Sequence, residues 1–354
     1  MHTHRGSQRA TIAIVGGESL LGKEVHELLE SRKVPATLKL VAAIEVEDAA
    51  KGVAGILTRG PTRGADEPLV MPSIESADLG SARVLILAGS KASSEKAYQK
   101  IRGAKPAPAV IDLSGGLEDL AEARLRAPMV EPPGFQAGVD IKDAVQTIAH
   151  PAAIALALLL SHLQKAGAIR RAVVEIFEPV SERGQAGIEE LQKQAVALLS
   201  FKPLPKETFD AQVSFNMLSQ YGSDAALSIE EIEQKIDRHL ASLLAATGAP
   251  MPSLRLIQAP VFHGYSISAW VEFEESRGMD AIFQSLASSH IDVRTKDHEP
   301  PTNVGVAGLG GITVGTIAQD RNQPRAWWFW LVADNLQIAS ENAWEVARGY
   351  LDTH

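Results

Sequence analysis

Apolar residues fall into short continuous runs in the first part of the chain and into alternating stretches later. The two patterns predict two kinds of sheet. Thr11-Ile12-Ala13-Ile14-Val15 is a short β-branched apolar run ended by Gly16-Gly17, as expected for a strand buried on both faces. In the segment Lys23–Glu30 that follows, Val25, Leu28 and Leu29 share one helical face. Further strand candidates are Leu38–Ile44, Arg83–Ala88 closed by Gly89-Ser90, and Ala109–Leu113 closed by Ser114-Gly115-Gly116. Strands alternating with helical segments indicate a doubly wound α/β sheet.

After residue 148 the pattern changes. His150-Pro151 opens an apolar segment that runs to Leu160 and fits a buried helix. Arg171–Phe177 reads as a strand, broken by Glu178-Pro179-Val180-Ser181-Glu182-Arg183-Gly184, and a helix starts near Ile188. Asp210–Asn216 reads as extended, Pro203–Pro205 as an exposed connection, and Ser228 with Glu231 as a capping box opening a helix towards Leu244. Leu254–Ser266 and Ile267–Phe273 alternate apolar and polar residues as strands do. The run Trp327-Trp328-Phe329-Trp330 puts rings on both faces of another strand, and Gly305–Gly311 precedes a strand, so it is no phosphate loop. A large, mostly antiparallel sheet with helices on one face follows; its open face needs a cover, and a symmetric partner is the usual one.

Composition narrows the classes. The chain has 354 residues, 45% of them hydrophobic, enough for two packed domains. A net charge of -9 argues against a nucleic-acid partner. No apolar run reaches membrane-spanning length, so a cytoplasmic protein without a membrane partner is expected, with residues 1–10 a flexible leader. The count of cysteines is 0, which removes disulfides, thiolate catalysis and cysteine-ligated metals together. His2 and His4 in the leader would hold a metal only weakly, and no metal site is expected.

The strand-turn-helix around Gly16, Gly17, Ser19, Leu20 and Gly22 is a degenerate dinucleotide fingerprint, with Gly89 ending a neighbouring strand. Ser19 stands where such a pattern has a middle glycine; its side chain would crowd a phosphate or donate to it. Glu45-Val46-Glu47-Asp48 lies where an adenosine ribose would sit, and carboxylates there favour NAD over NADP. The alternatives are a solvated acidic loop and a βαβ turn that holds no dinucleotide.

The order of these pieces resembles the aspartate-semialdehyde dehydrogenase family over nearly the whole chain. The resemblance rests on Ile14-Val15-Gly16 with Gly22, Gln185–Leu191, Val213-Ser214-Phe215-Asn216, Ala259–Ser266 and Leu331–Leu336. It implies a Rossmann-like domain over 11–148 joined by the last helix (335–354), and an α+β dimerisation domain over 149–334. It implies a homodimer or a tetramer and reductive dephosphorylation of β-aspartyl phosphate by NADPH. That reaction needs a cysteine nucleophile, an acid–base histidine, and arginines and a lysine for the anionic groups.

The chain departs from the pattern at these positions. The family's Asn-Pro-x-Cys is matched by His150-Pro151-Ala152-Ala153, so Ala153 replaces the nucleophile. Its Gly-His-Ser is matched by Gly264-Tyr265-Ser266, with His263 just ahead. Glu178 stands for a glutamine, Glu182 for a glycine and Glu118 for a phosphate-binding arginine. Two functional expectations follow: a non-catalytic binding, regulatory or scaffold protein, or an NAD(P)-dependent oxidoreductase acting on a free aldehyde or ketone through Tyr265 and His150, with Glu178 in the acid–base cluster.

Overall fold

The computed structural model describes residues 9–43, 56–57, 69–132 and 145–352. The chain forms two compact units, one of residues 1–128, 133–148 and 340–354, the other of 129–132 and 149–339.

The first unit holds a six-stranded sheet of β1 (Ala10–Val15), β2 (Ala36–Val41), β5 (Val84–Leu87), β6 (Ala109–Asp112), β7 (Ala123–Arg126) and β8 (Val145–Ile148), in the order β2-β1-β5-β6-β8-β7. Every pairing in it is parallel. Among the described residues, two short strands, β3 (Ile56–Leu57) and β4 (Leu69–Val70), pair only with each other. Ile12, Ile14, Val15 and all of β5 have no exposed surface, which is why these strands read as unbroken apolar runs. Helices Leu20–Ser31 and Lys91–Ile101 start directly after β1 and β5, each capped by a serine: Ser19 accepts from Gly22 and Ser90 from Ser93. β2 begins two residues before the expected span and ends at Val41; Ala42 only bridges to Ser73.

In the second unit the sheet order is β10-β9-β11-β14-β13-β12, built from β9 (Ile169–Glu178), β10 (Ser253–Gln258), β11 (Tyr265–Phe273), β12 (Ile291–Val293), β13 (Ile312–Gln319) and β14 (Ala326–Ala333). The central pairs β9-β11, β11-β14 and β14-β13 are antiparallel, whereas β10-β9 and β13-β12 at the edges are parallel, so the sheet is mixed. Tyr265, Ile267, Ala269, Val271 and Phe273 point inward and are fully buried, in the alternation expected of a sheet covered on one face. The apolar helix Pro151–Ala166 packs against helices Ile229–Leu244 and Met279–Ser285 and against β9. The other sheet face keeps Val173 43% and Trp328 41% exposed. There Arg171 lies over the Trp270 ring at 5.4 Å, and Asp320 Oδ2 accepts from the indoles of Trp270 (2.8 Å) and Trp328 (3.0 Å).

Two expected strands are corrected. Residues 210–216 form turns rather than a strand, because side chains of the helix Gly184–Leu199 satisfy their backbone. Gln194 Oε1 accepts from Val213 and Ser214, and its Nε2 donates to the carbonyls of Pro205 and Ala211. The stretch 254–266 is not one strand either: β10 stops at Gln258, and Gly264, with φ +83, turns the chain into β11. Among the described residues, no helix is long and apolar enough to cross a membrane.

Candidate functional site

All the residues of the candidate site belong to the second unit. Pro151 occupies the first turn of helix Pro151–Ala166, and His150 caps it, its Nδ1 accepting from Ala152 N at 3.3 Å. The His150 backbone N–H donates to His239 Nδ1 at 2.9 Å, so the ring hydrogen of a neutral His239 sits on Nε2. Ala153, in the same first turn, has no exposed surface. The helix end that would stabilise a thiolate carries a buried methyl group instead.

Glu178 is the last residue of β9 and is fully buried. A 3-10 turn over Val180–Arg183 then reverses the chain, anchored by Val180 N to Val261 O (2.8 Å) and Ser181 N to Phe262 O (3.0 Å). The reversal brings Arg183 back on Glu178, with Nη2 donating to both carboxylate oxygens at 3.0 and 2.9 Å. Tyr221 lies 3.1 Å from Glu178 Oε2 and donates to Gln258 Oε1 at 2.6 Å; Tyr265 Oη lies 3.4 Å from Glu178 Oε1. Gln258 in turn donates to the carbonyls of Glu178 and Ala259. Glu182 accepts from Asn335 Nδ2 at 2.8 Å and faces His150 Nε2 at 3.9 Å. Asn335 also accepts from Gly264 N at 3.0 Å, which ties β14's end to the start of β11. His150 and Tyr265 complete the group, with ring centroids 6.0 Å apart.

Two carboxylates and one guanidinium leave negative charge in excess. Burial, then repulsion from Glu178, pushes the Glu182 carboxyl up to about 7, against the pull of Arg183, Asn335 and Lys235. Burial and the two carboxylates also raise Tyr265 well above its ordinary value, so its phenol holds its proton tightly. Burial and Glu178 raise Tyr221. Burial works against the Arg183 charge, but Glu178 and its neighbours outweigh it and hold the guanidinium protonated. Ligating atoms of His150, Glu178 and Glu182 lie within 4.8 Å of one another, a grouping that metal ions use. Arg183 already supplies Glu178 with a cation there.

The structure brings together His150, Glu178, Glu182 and Tyr265, which the sequence pattern singles out. Arg183, Tyr221, Gln258, His239 and Asn335 join them without a mark in that pattern. Glu118 lies in the first unit, after β6.

In the first unit the glycines answer to close packing. Gly16 has φ +85, and a Cβ on Gly22 would lie 2.0 Å from Gly16 O. A Cβ on Gly89 would lie 2.5 Å from Ser93 Oγ, and one on Gly17 would lie 3.0 Å from Leu40 Cβ. Ser19 Oγ accepts from Gly22 N and donates to Ala88 O, both at 2.8 Å, so its hydroxyl is turned to the scaffold. The first helical amides, at Leu20 and Leu21, have no intrahelical acceptor and face the carboxyl end of the sheet, where a pyrophosphate binds in such folds. Glu45 lies outside the described residues.

Residues 160–338 match the family described as the semialdehyde dehydrogenase dimerisation domain. The chain belongs to this family. It is 28% identical to a USG-1 protein homolog of Pseudomonas aeruginosa, over 94% of each chain. A solved structure of a probable aspartate-semialdehyde dehydrogenase from the same organism shares 26% identity, with a TM-score of 0.81 over 98% of this chain and 99% of that one. The fold is also that of a Candida albicans aspartate semialdehyde dehydrogenase determined with NADP, at 13% identity and a TM-score of 0.65 over 97% and 98% of the two chains. Within this family, the chain has no cysteine at all.

Proposed function

We propose that this semialdehyde dehydrogenase homologue has lost reductive dephosphorylation of β-aspartyl phosphate and acts as a non-catalytic homodimer that binds a dinucleotide in its first unit. The observation that carries the reading is Ala153: the first turn of helix Pro151–Ala166 presents a buried methyl where the resembled family has its thiol. No acyl group can be held there while hydride arrives. The surrounding charge supports it, since the guanidinium of Arg183 is already paired with Glu178 and Glu182 adds a second carboxyl where an anion site would need cations. The dimerisation-domain match and the open sheet face around Val173 and Trp328 support the dimer. The helix amides after β1 support the dinucleotide, and the expected acidic loop at Glu45 favours NAD over NADP.

The test supplies aspartate semialdehyde, phosphate and either NAD or NADP, and follows nicotinamide absorbance. No turnover is expected from the protein as it stands or from Ala153→Cys alone, because Tyr265 cannot relay protons as a histidine does. Turnover above background by the cysteine-free protein overturns the reading.

One observation favours a second reading, in which a nicotinamide reduces a free aldehyde or ketone without a covalent intermediate. Glu182, held near neutrality at about 7 beside His150, is poised to give or take a proton. The tightly held Tyr265 proton favours Glu182 over Tyr265 in that role. A panel of aldehydes and ketones with NADH and NADPH decides it: activity abolished by Glu182→Gln supports this reading, and none across the panel removes it.

A further inference from the structure

The turn after β1 is stitched to the end of β2 by backbone and side chain together. Gly16 N and Gly17 N donate to Val41 O at 2.9 and 3.2 Å, and Glu18 Oε1 accepts from Ala43 N at 2.8 Å. The second contact fixes a carboxylate just beyond the last residue of β2. In a doubly wound sheet that edge is where the adenosine ribose of a dinucleotide lies, with its pyrophosphate on the helix that follows β1. A carboxylate there repels a 2′-phosphate through its charge. The chain therefore carries this charge in the glycine turn itself.

We propose that Glu18 is a specificity-determining residue of the first unit, selecting a dinucleotide with a free 2′-hydroxyl over its 2′-phosphorylated counterpart. This rests on the reading that the first unit receives a dinucleotide. Glu18→Gln is the informative variant, because the amide oxygen can still accept from Ala43 N while the charge is gone.

Titration calorimetry of NAD and NADP into the full chain and into Glu18→Gln tests it, with circular dichroism to confirm that the variant is folded. The full chain is expected to bind NAD more tightly than NADP by about tenfold or more, and the variant to close most of that gap by gaining affinity for NADP. Equal affinities in the full chain, or a gap that Glu18→Gln leaves unchanged, overturn the role of Glu18 while leaving dinucleotide binding in place. Binding that emerges only in the variant also overturns it, because Glu18 then excludes dinucleotides altogether. If neither protein binds either nucleotide at millimolar concentration, the dinucleotide reading fails and this inference fails with it. A misfolded Glu18→Gln is replaced by Glu18→Thr, read in the same way.

Discussion

A residue whose charge the fold does not fully compensate leaves a signature in stability. Glu182 titrates from 4.5 in a free chain to about 7 here, because burial and Glu178 disfavour its anion. Between those two values the folded protein holds a proton that the unfolded chain has released, so this group's contribution is fully present below 4.5 and is lost as pH rises through about 7. Its full ionisation costs on the order of 3 kcal/mol. Glu182→Gln keeps an acceptor for Asn335 and removes the titration. The variant is expected to match the parent closely near pH 4.5 and to exceed it near pH 8 by on the order of 3 kcal/mol. Denaturant unfolding at both pH values checks this; a gap independent of pH assigns the effect to something other than ionisation. At this scale the sequence showed which positions had changed but not how they were answered. Glu178 and Glu182 could be read from the resemblance, whereas Arg183 could not. Its return to Glu178 depends on the reversal through Pro179 and the 3-10 turn, and Tyr221 and His239 arrive from segments more than 40 residues away from Glu178 in the sequence.

Among the elements, one buried side chain decides the shape of a long connection. Gln194 is fully buried on helix Gly184–Leu199 and makes hydrogen bonds to Pro205, Ala211, Val213 and Ser214, while Glu190 one turn earlier accepts from Thr208 and Phe209. Gln194→Leu leaves two amides and two carbonyls without those partners, and is expected to cost about 2–4 kcal/mol. Hydrogen exchange should quicken at Val213 and Ser214 and stay slow in helix Ile229–Leu244; equal quickening in both would mean that the whole unit is loosened. The same residues explain what was legible. Val213–Asn216 looks extended from its composition, since its backbone partners sit on a helix some 20 residues earlier and leave no periodic trace. The strands β1, β5 and β6 were legible because full burial makes them continuous apolar runs. The capping box at Ser228 was legible because cap chemistry is local, and the structure contains it with both hydrogen bonds in place. Strands β7 and β12 were not, being short and carrying charged residues.

For the molecule as a whole, the question is what covers the open face of the mixed sheet. Indoles at a surface are normally mobile, but Trp270 and Trp328 are pinned by the single carboxylate of Asp320, with Arg171 stacked on the first of them. Val173 pairs in register with Trp270, which pairs with Trp328 across β14, so an apolar row crosses three strands. A rigid apolar row flanked by charged residues resembles the centre of an interface more than an ordinary surface. The family match to a dimerisation domain spans these strands. If a second copy covers this row through a two-fold axis, each substitution enters the interface twice. Val173→Asp places a carboxylate in the row without removing any of the hydrogen bonds that hold the indoles. The parent is therefore expected to sediment as a dimer at micromolar concentration and the variant as a monomer with an unchanged circular dichroism spectrum. A variant that remains dimeric would move the interface to another face of the chain, and a parent that is already monomeric would leave these rings to a different partner.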